Sequence, residues 1–342
     1  MVAMIDTPST PVSAQKKSSA NPQASNSTGH LVAAIQRQLV HFGIVWVLVA
    51  VVVAAQIAYP GFLAPKNVGY IISQNAPTGV IAVGMTMVMI AGGFDLSVGA
   101  IYAAGAVMYA DMANRMPLGP ALVVALALGV ALGLVNGLLI TKIKVNPFVA
   151  TLGTASVFGG GTYIYTHSGP INVSVADFDS LGLGQTLGLS NSTWILAAVF
   201  IVGALLLSHT VFGRSLYVVG GNPEAARLAG MRVDRLKGAT YVIVGFCSAL
   251  GGAIISSRVG VGQAEIAGTM SLDAIAVVVI GGTSLFGGEG ALWRTGVGLL
   301  IVACLGNVCD SLGLDGNSQS VIKGAIVVGA VALDTVSRRK KR

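Results

Sequence analysis

Charge is what this sequence has least of. Asp, Glu, Lys and Arg make up 10% of its 342 residues, against roughly 25% in a soluble globular domain. A fold with an ordinary water-facing surface is therefore excluded. Cysteine is scarce too: Cys247, Cys304 and Cys309 all lie in apolar segments and form neither a CxxC pair nor a disulfide framework. The four histidines, His30, His41, His167 and His209, share no metal-ligand spacing, so no metal site is expected. The dipeptide Gly-Lys does not occur, which removes the phosphate-binding loop and with it ATP hydrolysis by this chain. GxSxG and HExxH are missing as well, and no catalytic residue is expected.

What is abundant is apolar sequence. Hydrophobic residues reach 54%, and there are 46 glycines, about twice the usual roughly 7%, with no G-X-Y period that would suggest collagen. About 20 apolar residues cross a bilayer, and ten apolar runs of spanning or near-spanning length occur: 42–58, 71–91, 96–113, 118–140, 148–166, 193–212, 239–256, 272–285, 292–309 and 318–336. The expected fold class is all-α, a polytopic membrane protein of about ten transmembrane helices. Glycine pairs interrupt the third and eighth runs, where a broken or re-entrant helix would give the same pattern. Residues 1–41, rich in Ser, Thr, Asn, Gln, Pro and Lys, are expected to form a disordered cytoplasmic tail. Residues 42–336 form the membrane domain, 213–238 an inner loop and 337–342 a basic tail. The first long apolar run begins too late for a secretory signal, and the first helix is expected to be uncleaved.

Basic residues orient the spans. With both termini cytoplasmic, Lys16, Lys17, Arg37, Lys142, Lys144, Arg214, Arg227, Arg232, Arg235, Lys237, Arg294 and the five residues from Arg338 to Arg342 lie inside, sixteen of the twenty Lys and Arg. Only Lys66, Arg115 and Arg258 lie outside, and Lys323 falls within the last helix. The net charge of +7 is thus a topological signal, and no nucleic acid partner is expected. The outer loop 167–192 carries Asp177 and Asp179 but no Lys or Arg.

Small residues recur every fourth position at Ala121, Ala125, Gly129, Gly133 and Gly137, a smooth face suited to close helix packing. Intramembrane charge is sparse. Asp95 sits where it can cap the third helix at Ser97 or Val98. Asp273 complements a helix start, and Lys323 is near enough to a helix end to snorkel or to reach Asp273. A solute pathway must then use neutral groups, and the candidates are Gln74, Asn75, Thr78, Asn136, Asn146, Thr151, Thr154, Thr283, Ser284 and Asn307, with Asp95 and Ser97 beside them. Gly92 to Gly99 and Gly281 to Gly288 match at four of eight positions when paired in order, an echo open to coincidence and to internal duplication.

In the inner loop, Asn222 is a good N-cap, Pro223 suits the first helical position, Glu224 complements the positive helix end and Gly230 is a stop signal. This spells a short helix carrying Ala225, Ala226 and Arg227, either interfacial or a docking helix for a cytoplasmic partner. The EAA-x3-G pattern of Glu224, Ala225, Ala226 and Gly230 resembles the permease subunits of ATP-binding-cassette importers. GGFDLSVG from Gly92, NPFVATLGT from Asn146 and DAIAVVVIGGTSLFGGEG from Asp273 resemble the ribose and pentose branch of that family, over nearly all of 42–336. An Ile-x-Leu-Pro extension found in other branches is replaced by Val233 to Lys237.

The resemblance implies a permease in a bacterial inner membrane, paired with a second permease subunit as homodimer or paralogue and surrounded by membrane lipid. ATPase subunits dock below on the helix from Asn222 to Gly230, and a periplasmic sugar-binding protein delivers a monosaccharide from above. It implies no cofactor in this chain, ATP and Mg being bound by the partner ATPase. Two alternatives stay open: import of another small polar solute such as a nucleoside or branched-chain amino acid, and an ion-coupled secondary transporter using Asp95 or Asp273 as proton site.

Overall fold

A computed structural model describes residues 42–316, together with 318–322, 324–325 and 328–329. The expected N-terminal tail, the basic C-terminal tail, Lys323 and most of the tenth run lie outside the described residues. The expected Asp273–Lys323 pairing lies outside them too. The described residues from Ile44 onward belong to one compact unit.

Twelve α-helices lie among the described residues up to Ser311. The first six are α1 (Gly43–Ala58), α2 (Pro65–Gln74), α3 (Ala76–Ile90), α4 (Val98–Ala113), α5 (Leu118–Thr141) and α6 (Pro147–Tyr165). Then follow α7 (Asn191–His209), α8 (Val211–Gly221), α9 (Pro223–Leu228), α10 (Val233–Val259), α11 (Met270–Ile280) and α12 (Leu292–Ser311). Four of them, α5, α7, α10 and α12, are individually long and apolar enough to cross a membrane, and α2 with α3 makes a fifth bent by 50°.

The remaining runs depart from ten uniform spans in instructive ways. The second run is kinked at Asn75, where Pro77 lacks the N–H that would continue the ladder to Ser73 and the Asn75 side-chain amide donates instead to the Ile71 carbonyl at 2.9 Å. The third run is preceded by non-helical chain from Gly93 and becomes helical only at Val98, leaving 16 residues of about 24 Å. The eighth run is helical only over the 11 residues of α11, about half a bilayer. The sixth run ends as helix at His209, the end of α7, and Thr210 recaps the chain, its hydroxyl accepting from Gly213 N at 3.1 Å to start α8. Most of the expected inner loop is therefore helix.

All-α needs one small amendment. Two antiparallel ladders of two-residue strands occur: β1 (Ile171–Asn172) with β4 (Val261–Gly262), and β2 (Gln185–Thr186) with β3 (Leu189–Ser190). The first ties loop 167–192 to the segment after α10, and the second is a hairpin within that loop.

The core is built on α5 and α10. The small-residue face of α5 lies directly on α10: at Gly129 a Cβ would strike the Ala249 Cβ and come within 2.5 Å of the Gly245 carbonyl, and at Gly133 it would strike the Tyr241 carbonyl. Ala121 and Ala125 on the same face are fully buried. Without side chains between them, two backbones approach closely enough for dispersion to hold the pair where the hydrophobic effect does not operate. Against this pair lie α3 and α4, both almost wholly buried.

Candidate functional site

Two regions carry the polar features expected from the sequence. The first is the chain leading into α4. Asp95 is fully buried, and its Oδ1 accepts from the Ser97 backbone N–H at 2.8 Å and the Ser97 hydroxyl at 2.6 Å. The expected cap is thus present. Asn136 Nδ2 on α5 donates to Ser97 Oγ at 2.7 Å, and Thr154 on α6 donates to Asn136 Oδ1 at 2.7 Å. The Thr151 hydroxyl accepts from Leu96 N at 3.1 Å, and Tyr241 on α10 donates to the Phe94 carbonyl at 3.1 Å. Non-helical backbone buried among helices has no ladder of its own, so side chains must satisfy its N–H and C=O groups. Asp95 Oδ2 is buried without a hydrogen-bond partner.

Ser271 completes this region, and the sequence reading had not singled it out as a functional residue. Its hydroxyl donates to the Leu96 carbonyl at 2.8 Å and accepts from Gly99 N at 3.0 Å. The first turns of α4 and α11 therefore meet at one hydroxyl. From there the helices diverge: the far end of α4 reaches Asn172 through Asn114, whereas that of α11 packs on Arg294 and Thr295. The only sequence signal for Ser271 was its place at the start of a shortened apolar run.

The echo between the third and eighth runs has a structural counterpart, displaced by one residue. After α3, Gly92 takes φ 75° with Gly92 N and Gly93 N donating to the Met89 and Val88 carbonyls. After α11, Gly282 takes φ 78° with Gly282 N and Thr283 N donating to the Val279 and Val278 carbonyls. Both are left-handed glycine stops of the same type. They superpose Gly92 on Gly282, where the in-order pairing set it against Gly281.

The other expected pathway residues are dispersed. Asn75 sits at the α2–α3 kink, and Asn146 caps α6 by accepting from Phe148 N at 3.0 Å. Thr283 and Ser284 lie in the loop after α11, both buried, with Ser284 Oγ accepting from Phe286 N at 3.1 Å. Asn307 exchanges two amide hydrogen bonds with Asn67, at 3.0 and 3.1 Å, joining α12 to α2. Thr78 reaches Met270 Sδ at 3.7 Å. The structure thus gathers Asp95, Ser97, Thr151, Asn136 and Thr154, and leaves Asn75, Asn146, Thr283 and Ser284 elsewhere.

The second region is α9. Asn222 Oδ1 accepts from Glu224 N at 3.1 Å and Ala225 N at 2.9 Å, Pro223 opens the helix, and Gly230 takes φ 81°. Met231 N donates to the Ala226 carbonyl and Gly230 N to that of Arg227, which closes the C-terminal end. Every expected end signal is in use. Arg227 pairs with Asp234 at 2.8 Å, so it braces α9 against α10. Ala226 corrects one expectation: it is buried at 1% exposure among Val219 and Val233, so its small size serves internal packing. Glu224, Ala225 and Leu228 face outward, and Leu228 is 91% exposed. Two residues subtend about 200° on a helix, so burying Ala226 forces Leu228 out, a consequence the spacing already contained.

Among the described residues no three His, Cys, Asp or Glu side chains converge as metal ligands do. Membrane-length helices, interrupted apolar runs and a doubly capped surface helix define the class, a helical integral membrane protein built for transport. The chain belongs to the family described as branched-chain amino acid transport system / permease component, whose model matches residues 67–331. It is a permease component and not an enzyme. It is 41% identical over 293 residues to the ribose import permease protein of Bacillus subtilis (strain 168), covering 84% of this chain and 90% of that one. The ribose import permease protein of Haemophilus influenzae is 36% identical over 299 residues, 86% and 93% of the two chains. The L-arabinose transport system permease protein of Escherichia coli (strain K12) is 34% identical over 312 residues, 88% and 92%. No solved structure matches the chain.

Proposed function

We propose that this chain is the membrane-spanning subunit of an ATP-binding-cassette importer for a monosaccharide, in a bacterial inner membrane. The observation that carries the reading is α9, a helix of six residues capped at both ends that turns Glu224, Ala225 and Leu228 away from the fold. Such a helix is shaped to seat in a cleft on a separate ATPase. A periplasmic binding protein delivers the solute, and a second permease subunit, identical or paralogous, completes the pathway within the lipid.

Relatives named for ribose and arabinose support a sugar. So does the chemistry: the candidate groups here, Asn75, Asn146, Thr151, Thr283 and Ser284, are neutral amides and hydroxyls suited to a polyol. Asp95 and Ser97 border the pathway as its buried support. Ten spans with both termini inside accord with where residues gather. Asp111, Arg115 and Tyr165 join at one end of α4 and α6, while Gly92, Gly220 and Gly287 join at the other, and the charge rule assigns these groups to opposite faces.

Co-purification with the cognate ATPase tests the reading. Ala225→Trp and Leu228→Asp are expected to insert normally and lose the ATPase; retention by both returns α9 to an ordinary interfacial helix. Orientation is read separately: a cysteine at Leu187 should react with an impermeant thiol reagent from outside, and one at Leu228 only after the membrane is opened. Reversed labelling overturns the topology.

A further inference from the structure

The loop after α11 is joined to the end of α3, and the chain entering α9 passes through the joint. The Gly288 N–H donates to the Ile90 carbonyl at 2.9 Å, tying the loop after α11 to the last turn of α3. Gly220, in the last turn of α8, lies against that same bond: a Cβ there would run into the Ile90 carbonyl oxygen and come within 2.6 Å of Gly288 N. A Cβ on Gly287 would come within 2.8 Å of both the Gly220 carbonyl and Gly92 Cα. Three chain segments thus touch backbone to backbone with no side chain between them. The neighbour Gly221 has open space, its Cβ position meeting nothing within 4 Å.

Contacts of this kind are stiff. A side-chain contact absorbs small displacements by rotamer change, whereas apposed backbones transmit them. Asn222, two residues beyond Gly220, is the N-cap of α9. At its other end α11 is held to the chain entering α4 by Ser271, which bonds Leu96 and Gly99 at once.

We propose that this glycine junction is the transmission point of the transporter. Displacement of α9 is delivered through Gly220 to α3 and to the loop after α11 together, so that α3 and α11 move as a pair while the α5–α10 seam stays still. Gly220 and Gly288 are positioning residues for transport. The inference rests on the docking reading of α9 and adds where the displacement lands.

The test uses the full permease–ATPase complex in proteoliposomes. Phe286, 70% exposed beside the junction, is replaced by cysteine as a reporter, and its maleimide labelling rate is compared in nucleotide-free and ATP–vanadate-trapped states. In the otherwise unaltered chain the rate is expected to change about fivefold or more. Gly220→Ala should abolish the change while the ATPase still co-purifies, and Gly221→Ala should preserve it. Should Gly220→Ala fail to assemble, inserting two glycines between Gly221 and Asn222 slackens the same link without a clash and is expected to abolish the change too. A nucleotide-dependent rate that survives Gly220→Ala or the insertion overturns the proposal, as does a rate insensitive to nucleotide in the unaltered chain. Failure of the ATPase to co-purify with the unaltered chain defeats the docking reading instead.

Discussion

The α5–α10 seam and the α3–α4 and α11 segments solve the same problem in opposite ways. In the seam, helices of 24 and 27 residues satisfy their own backbones and need only shape: Gly129, Gly133 and Gly245 remove the side chains that would hold them apart. In the interrupted runs the backbone between Gly92 and Ser97 has no helix of its own, and it borrows partners from Thr151, Tyr241 and Ser271. Shape complementarity between whole helices has one good register and resists sliding. A handful of hydrogen bonds has discrete alternatives and breaks piecemeal. The molecule therefore contains a rigid pair and, packed on it, segments tied to one another by a few hydrogen bonds and a glycine junction, an arrangement suited to shifting as a unit against that pair, which is what a transport path requires.

Substitutions sharpen the contrast. Gly245→Leu, placed where a Cβ would strike the Gly129 carbonyl, should cost the most, about 3 kcal/mol or more, read as a lower Tm and loss of a monodisperse peak in detergent. A normal Tm would break the comparison, since the seam would then be pliable. Asn136→Ala removes the middle link between Ser97 and Thr154, leaving two buried hydroxyls short of a partner, and is expected to cost about 2 kcal/mol. Its thermal transition should stay cooperative, because the seam is untouched. Tyr241→Phe deletes the hydrogen bond to the Phe94 carbonyl but keeps the ring, and should cost about 1 kcal/mol or less. Proteolysis near Phe94 is expected to rise with little change in Tm; an equal fall in both would mean the two regions unfold as one.

Sequence periodicity located the long helices well. Leu118 to Ile140 was expected as a span and α5 runs from Leu118 to Thr141, because a continuous apolar run without Pro in its interior offers the backbone no alternative to helix. The Asn222, Pro223 and Gly230 signals placed α9 to within a residue, since caps are local chemistry. The interrupted runs were harder to read. Hydropathy is blind to backbone conformation, so the run over 96–113 did not show that helix begins only at Val98, nor the run over 272–285 that helix stops at Ile280.

By itself, then, the sequence determined membrane residence, the apolar runs, the caps and the family, all of which depend on residues near one another or on composition. Only the tertiary structure decided that Ser271 meets Leu96 and Gly99 across more than 170 positions, that Ala226 turns inward while Leu228 turns out, and that Gly220 lies against Ile90 and Gly288. A glycine carries no mark of which backbone it must admit, and a serine none of which carbonyl it will satisfy. Those partners are fixed by how the helices pack, and packing is a property of the whole chain.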